Sequence, residues 1–184
     1  MRDSRIALVL RVVVIGVLVV VTVLATRAVL STNRRAGDVY LASAAVEGLK
    51  AVGGSAIATG TVTGYSNALE DNWAAMDLFL RSNSQNALKD VASHVQASWT
   101  AYLVADQLWR MSDEGDTKPL VSQVYAATGL LASQPAFAST VTGQGASARF
   151  DNTDLKAVKA LFAAAQAEQS VAAVLVSKSI TELR

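Results

Sequence analysis

The chain has 184 residues, a formal net charge of +1, one His, two Pro and no Cys. Without Cys it has no disulfide framework, no thiol nucleophile and no thiolate metal ligand, and one His cannot build a His-rich metal cluster. Because no basic run is present, nucleic acid is not expected as a partner.

The most apolar stretch lies close to the N-terminus. Fourteen consecutive residues, Val12–Ala25, carry no charge, and residues 9–30 supply the roughly 20 positions that a helix needs to cross a bilayer. Arg11 and Arg27 lie near the two ends of this segment, where long side chains can reach the headgroups. We predict a single transmembrane helix over 9–30, with Arg11 and Arg27 at the membrane interfaces.

The alternative interpretation of this segment is a cleaved signal peptide, because Arg2 and Arg5 precede the apolar run. Arg27 interrupts the small residues at which cleavage would occur, which favours an uncleaved anchor. Basic residues flank the segment almost equally, so orientation is weakly specified. Residues 31–184 are rich in Ala, Ser, Thr and Gly, as exported bacterial domains often are. We expect the bacterial inner (cytoplasmic) membrane, with the C-terminal domain periplasmic or extracytoplasmic.

The rest of the chain forms a short N-terminal tail over 1–8 and one domain over 31–184, which is long enough for its own core. Abundant Ala and few Pro favour helix. We predict an all-α fold, in which the transmembrane helix is followed by an antiparallel bundle of four to five helices. Apolar residues recurring every three or four positions predict five helices. The first covers 33–52, the second begins near Asn67, the third ends near Met111, and the last two cover 119–133 and 152–182.

The predicted loops between these helices are rich in Gly, Ser and Thr. Gly53-Gly54 ends the first helix, and a loop follows over 53–66. Asn67 with Glu70 three residues later resembles a capping box, so the second helix is expected to begin there. Further breaks are predicted at 82–86, Gly115–Pro119 and 138–150.

Two segments in these loops are similar to each other. Thr61-Val62-Thr63-Gly64 and Thr140-Val141-Thr142-Gly143 lie 79 residues apart, and their flanks agree at nearly the same offset. We hypothesise two related helix–loop–helix halves, with chance similarity as the alternative. A two-fold axis would place both loops at one end of the bundle as a paired polar surface. The candidate partner- or ligand-binding residues are therefore Thr61, Thr63, Tyr65, Thr140 and Thr142.

Asp90 and His94 are the first candidates for metal chemistry, because residues four apart share one face of a helix. A metal site needs more ligands and no second His exists, so a surface pair between Asp90 and His94 is favoured. Residues 113–116 lack the twelve-residue calcium-loop pattern and are interpreted as a solvated turn.

Glu70, Asp71 and Asp77 are the candidates for acid–base chemistry. Glu70 and Asp71 are expected in the first turn of a helix, where the helix dipole favours acidic groups, and Asp77 has Arg81 four residues later as an ion-pair partner. These structural roles are favoured. We therefore assign no catalytic, metal-binding or cofactor-binding residue and no cofactor, and predict that the protein is not an enzyme.

Aromatic residues are concentrated in the middle helices, at Trp73, Trp99, Tyr102 and Trp109. Aromatic side chains can form a cage for a ligand cation. An aromatic stripe at helical spacing is more often part of a core, and that interpretation is favoured here.

These features favour a non-catalytic, single-pass membrane protein that acts as an accessory or scaffold subunit of a membrane or envelope complex. Its expected partners are the lipid bilayer and other membrane-protein subunits, or further copies of the chain. The alternative is an extracytoplasmic sensory or ligand-binding four-helix bundle, whose layout resembles the sensor domains of bacterial chemoreceptors and sensor kinases. Those sensors use a second membrane helix that leads to an output domain, and the sequence predicts none, so the subunit is favoured.

Overall fold

The computed structural model of the protein describes residues 31–56, 58, 60–128 and 140–183. The transmembrane helix predicted over 9–30, including Arg11 and Arg27, lies outside these residues. Most of the described residues are helical, in agreement with the all-α prediction.

The helices are unequal in length. The first, α1, covers residues 31–56. The others are α2 (Val62–Arg81), α3 (Ser84–Ala87), α4 (Lys89–Asp113), α5 (Val121–Thr128) and α6 (Lys156–Thr181). Between α5 and α6 lie two short antiparallel strands, β1 (Val141–Thr142) and β2 (Arg149–Phe150), and 3-10 turns at Gly145–Ser147 and Thr153–Leu155.

Helices α1, α2, α4 and α6 form a four-helix bundle in which each helix runs antiparallel to its neighbours. The contacts that define the pairing are Ser55–Gly64, Trp73–Trp99, His94–Glu168 and Arg35–Glu182. We call the end that contains the start of α1, the α2–α4 connection and the end of α6 the proximal end, because it follows the predicted membrane segment. The opposite end, which contains the strands and α5, is the distal end.

The core forms where the apolar stripes of the four long helices meet. Helix α4 contributes the most buried residues, because it has neighbours on several sides. Its large buried side chains are Val91, Val95, Trp99, Tyr102, Val104 and Leu108. Each buried apolar side chain of this size contributes about 1.5–3 kcal/mol of transfer free energy, which offsets the entropy lost on folding.

One helix among the described residues, Thr153–Thr181, is long and apolar enough to cross a membrane by length and composition. It is the C-terminal helix of the bundle, whereas the predicted membrane segment is N-terminal. Its buried residues are Ala157, Val158, Leu161, Ala165, Ala172 and Val176. Ser98 Oγ of α4 donates a hydrogen bond to the Ala165 carbonyl at 2.8 Å, so this helix is packed closely against α4.

The predicted loop over 53–66 is wrong at both of its ends. Helix α1 continues through Gly53 and Gly54 to residue 56, and α2 begins at Val62 instead of Asn67. Thr61 caps α2, since its Oγ1 accepts a hydrogen bond from the Gly64 N–H at 3.2 Å. Glu70 consequently lies in the middle of α2 and cannot act in a capping box.

The hypothesis of two related halves is not supported by the local structure. Thr61–Gly64 starts a helix, whereas Val141 and Thr142 form a strand and Gly143 has a φ of 82°. Both segments do lie at the distal end. The two similar sequences therefore adopt different local structures at the same end of the bundle.

The remaining boundaries largely follow the sequence prediction. Helix α2 ends at Arg81, within one residue of the predicted break at 82–86, and α4 ends at Asp113 before the predicted turn. The predicted helix over 119–133 is seen as α5, and its expected end lies outside the described residues. The predicted loop over 138–150 contains the strand pair, and β1 lies in its β-branched Thr-Val-Thr segment.

Candidate functional site

A groove between α2 and α4 combines aromatic and charged side chains. From α2 it is lined by Ser66, Leu69, Glu70 and Trp73, and from α4 by Trp99, Leu103, Asp106 and Arg110. Both sets recur at spacings of three and four, so each lies on one face of its helix. We call this the α2–α4 groove; its volume is about 170 Å³.

The two tryptophans form the apolar half of the α2–α4 groove. Trp73 is 48% exposed, whereas Trp99 is buried, and their ring centroids are 5.7 Å apart at an interplanar angle of 52°. The prediction that both belong to the core is therefore correct for Trp99 and wrong for Trp73. A half-exposed indole presents a large apolar area at small conformational cost, as the central residues of protein interfaces do.

The polar half of the groove is centred on Asp106. Its Oδ1 accepts a hydrogen bond from Ser66 Oγ at 2.5 Å, and its Oδ2 accepts one from Arg110 Nε at 2.9 Å. Because both carboxylate oxygens are occupied, Asp106 is held rigidly at the edge of the groove. Glu70, an exposed residue on the same rim, adds a second carboxylate. The groove therefore combines an aromatic floor with a partly neutralised acidic rim.

Behind the groove, Tyr65 anchors a buried aromatic cluster. Its ring centroid lies 6.3 Å from that of Tyr102, 5.9 Å from that of Trp109 and 5.0 Å from that of Phe162. Tyr65 Oη donates a hydrogen bond to the Tyr102 carbonyl at 2.8 Å. Burial raises the pKa of Tyr65, and burial raises the pKa of Tyr102 to about 12. Both hydroxyls consequently stay protonated at neutral pH and serve packing.

The predicted binding residues lie at the distal end but do not share one loop. Thr61 is the helix cap, Thr63 is exposed in the first turn of α2, and Tyr65 is fully buried within α2, so its predicted place in an exposed loop is wrong. Thr140 is buried, whereas Thr142 is exposed and its Oγ1 donates to the Arg149 carbonyl at 3.4 Å. A binding role for the exposed threonines stays a prediction.

Two of the charged candidates, His94 and Asp77, have structural partners. His94 Nδ1 lies 2.6 Å from Glu168 Oε2 of α6, so the predicted Asp90–His94 pair is replaced by a contact between helices. Asp77 pairs with Arg81 as predicted, with 2.5 Å between Oδ1 and Nε. Within the described part of the chain, no three His, Asp or Glu side chains are grouped so that they could hold a metal ion.

The sequence pattern does not predict the α2–α4 groove. The Asp106–Arg110 spacing of four was a detectable signal, but pairing it with Trp73 requires knowing that α2 and α4 are antiparallel neighbours. Comparison of the chain with protein-family models, with curated protein sequences and with solved structures gives no match.

Proposed function

We propose that this protein is a single-pass, membrane-anchored subunit that binds a partner protein through the α2–α4 groove and has no catalytic role. The observation that carries the proposal is the half-exposed Trp73 above a groove of about 170 Å³. Small-molecule sites usually have volumes of about 300–1,000 Å³, so this groove is better matched to one or two side chains of a partner. Exposure of a large aromatic ring next to a fixed polar pair is typical of interface centres.

The chemistry of the groove specifies what that partner presents. Two indoles and an acidic rim formed by Glu70 and Asp106 favour a side chain with an apolar stem and a cationic head. Lys or Arg fits this description, because its stem packs on the rings while its charge faces the carboxylates. Arg110 already pairs with Asp106, so Glu70 is the carboxylate left to attract the incoming charge.

The proposal is tested by site-specific photo-crosslinking in native membranes. A photoreactive phenylalanine analogue is placed at Trp73 and, as a matched control, at Leu78, which is 58% exposed on the same helix and lies about 140° around the helix axis. We expect a discrete crosslinked product from position 73 and none from position 78. Equal crosslinking from both positions, or none from either, would contradict the proposal.

The crosslinked product also identifies the partner. A product with twice the mass of the chain indicates self-association, and any other discrete mass identifies a different subunit. Trp73→Ala should abolish isolation of the complex in mild detergent, whereas Leu78→Ala should retain it. Loss of an exposed ring leaves the fold intact, so both variants should show unchanged helical circular dichroism.

A sensory or ligand-binding function is the second candidate. The antiparallel four-helix arrangement favours it, because sensor domains of bacterial receptors share that layout. A small cationic ligand held in the α2–α4 groove would raise the melting temperature of the chain, since it binds only the folded state. A screen of small amines for this shift, repeated on Trp73→Ala, separates a ligand site from a protein interface.

A further inference from the structure

Helix pairing gathers basic side chains from three separate parts of the sequence at the proximal end. Arg34 and Arg35 lie near residue 31, the first described residue of α1, Lys89 starts α4, and Lys178 is in the last turn of α6. The contact between Arg35 and Glu182 joins the start of α1 to the end of α6, with 3.2 Å between the charged atoms. None of this grouping is visible in the sequence, where no basic run exists.

Two open cavities occupy this end. One, of about 520 Å³, lies among Arg34, Arg35, Asp38, Asn83 and Asn86. The other, of about 300 Å³, has Lys89 and Lys178 in its lining. Guanidinium groups beside side-chain amides offer several N–H donors to a single anion, which is the arrangement that binds phosphate oxygens.

The charges around the two cavities leave an excess of positive groups. The four cations in their linings outnumber the three carboxylates, Asp38, Asp90 and Glu182, by one. Asp38 keeps its charge while it accepts a hydrogen bond from Ser84, and Glu182 is paired with Arg35. Within the described residues, Arg34, Lys89 and Lys178 have no ion-pair partner. Asp90 is the remaining carboxylate in the lining. These three cations are therefore available to an anionic surface.

The proximal end directly follows the predicted membrane segment, which points to the lipid bilayer as the anionic surface. Arg34 and Arg35 follow the end of the predicted span at residue 30 by four and five positions, which corresponds to about 6–8 Å along a helix at about 1.5 Å per residue. Lipid headgroups occupy a layer of this thickness on each side of a bilayer. Basic side chains near such a layer are attracted to anionic lipids.

We propose that the proximal end is a binding site for anionic phospholipid headgroups, with the cavity between Arg34, Asn83 and Asn86 receiving the phosphate and Lys89 and Lys178 facing neighbouring headgroups. The proposal rests on the membrane anchoring that is part of the proposed function, but it is independent of the α2–α4 groove. Its consequence is that the bundle stands in a fixed orientation on the bilayer, with the distal end farthest from the lipid.

The test uses the full-length chain in neutral maltoside micelles. Short-chain phosphatidylglycerol is titrated in, and the change in melting temperature gives its apparent affinity; phosphatidylcholine of the same chain length and inorganic phosphate are titrated separately. We expect saturable stabilisation by phosphatidylglycerol and none by the other two. Stabilisation by inorganic phosphate at similar concentrations would overturn the proposal in favour of a free-anion site, and equal effects of the two lipids would overturn it altogether.

Two single substitutions assign the effect to this cavity. Asn86→Asp places a carboxylate of nearly the same shape beside Arg34, and Arg34→Gln removes one of its cations. Each should weaken phosphatidylglycerol binding about fivefold, as expected for one charge near a lipid surface. Asn67→Asp, an exposed change on α2 at the distal end, is the matched control. An equal loss in Asn67→Asp would overturn the proposal.

Failure of this proposal is distinguishable from failure of the proposed function. Retention of each variant in carbonate-washed membranes reports anchoring alone, and crosslinking from position 73 reports the groove alone. If Asn86→Asp keeps both of these readouts and also keeps full affinity for phosphatidylglycerol, the headgroup site is wrong and the subunit proposal stands.

Discussion

Gly53 of α1 faces the hydroxyl group of Tyr102 of α4, and a Cβ atom on Gly53 would lie 2.5 Å from that oxygen. Tyr102 Oη also donates a hydrogen bond to Gln169 Oε1 of α6 at 3.3 Å. The hydroxyl is thereby held in a space between three helices. Helix α1 approaches α4 so closely that a side chain at position 53 would contact Tyr102, which explains why the residue is glycine. Packing against Tyr102 keeps Gly53 within the helix.

Gly53→Ala is expected to lower the free energy of unfolding by about 1–3 kcal/mol, because the added methyl group overpacks the contact with Tyr102. Thermal unfolding of the full chain in detergent, followed by helical circular dichroism, measures this. Gly54→Ala is the matched control, since nothing lies within 4 Å of its added Cβ. At Gly54 helix propensity predicts stabilisation of up to about 1 kcal/mol. A loss of stability of the same size in both variants would contradict the close-approach explanation.

Alkaline pH is expected to destabilise the bundle through its buried tyrosines. Tyr102 in the unfolded chain ionises near pH 10, whereas in the folded chain its pKa is about 12. Between these values the unfolded state loses a proton that the native state keeps. Stability is therefore complete below about pH 10 and falls above it, by up to about 1.4 kcal/mol per pH unit for each such group.

Burial also raises the pKa values of Tyr65 and Tyr125, so both add to this effect. Tyrosinate absorbance and helical circular dichroism are recorded together during an alkaline titration, and the absorbance of the buried tyrosines should rise in the same cooperative step in which the helix signal is lost. Tyr40, which is 72% exposed, contributes to the absorbance without unfolding. Tyr102→Phe should make the fall in melting temperature above pH 10 less steep. An unchanged pH dependence in that variant would show that Tyr102 is not one of the groups responsible.

Asn152 is expected to be essential for the start of α6. It is fully buried; its Nδ2 donates to the Leu108 carbonyl and its Oδ1 accepts from the Val158 N–H, both at 3.1 Å. Asn152→Ala leaves the Val158 N–H without this acceptor, which should cost about 1–3 kcal/mol. Urea unfolding measures the loss. Asn67→Ala removes an exposed amide of the same kind and should change stability by less than about 0.5 kcal/mol.

Asp154 adopts a left-handed backbone conformation just before α6, with a φ of 51°. This conformation is unfavourable for residues with a Cβ atom and neutral for glycine. Asp154→Gly should therefore raise the free energy of unfolding, by up to about 1 kcal/mol. Ala160→Gly, an exposed change inside α6, should lower it by about the same amount. Thermal unfolding of the two variants should show melting temperatures that move in opposite directions.

Periodicity alone predicted most of the helices but not all of their ends. Asn67 and Glu70 have the spacing of a capping box, although they lie inside α2. The Thr61 cap lies in a Gly- and Thr-rich stretch, a composition that predicts a loop. Gly53-Gly54 is a strong stop signal in isolation. In the folded protein, contact with Tyr102 keeps Gly53 and Gly54 helical. Tyr102 is far away in the sequence, so a local sequence pattern cannot reveal this contact.

The candidate site was harder to predict than the fold, because its residues come from two helices. The position of Trp73 within an apolar stripe indicated a core residue, yet the stripe continues past the edge of the bundle, where the ring is half exposed. Likewise Asp90 is the nearest acid to His94 along its own helix, while the actual partner, Glu168, is 74 residues away. Which residues of two helices contact each other depends on how each helix is rotated about its axis. That rotation is determined by the packing of the whole core and cannot be derived from one segment of the sequence.

The pairing of α1 with α6 has a consequence for the order in which the protein is made. Helix α6 is last in the chain and covers the long apolar face of α4, so that face stays open until α6 is in place. Helix α1 is synthesised before the other helices of the bundle, yet its neighbour α6 is synthesised last. Assembly of the bundle is complete only after residue 182 has been synthesised and has met Arg35, and until then the apolar face of α4 is open to aggregation.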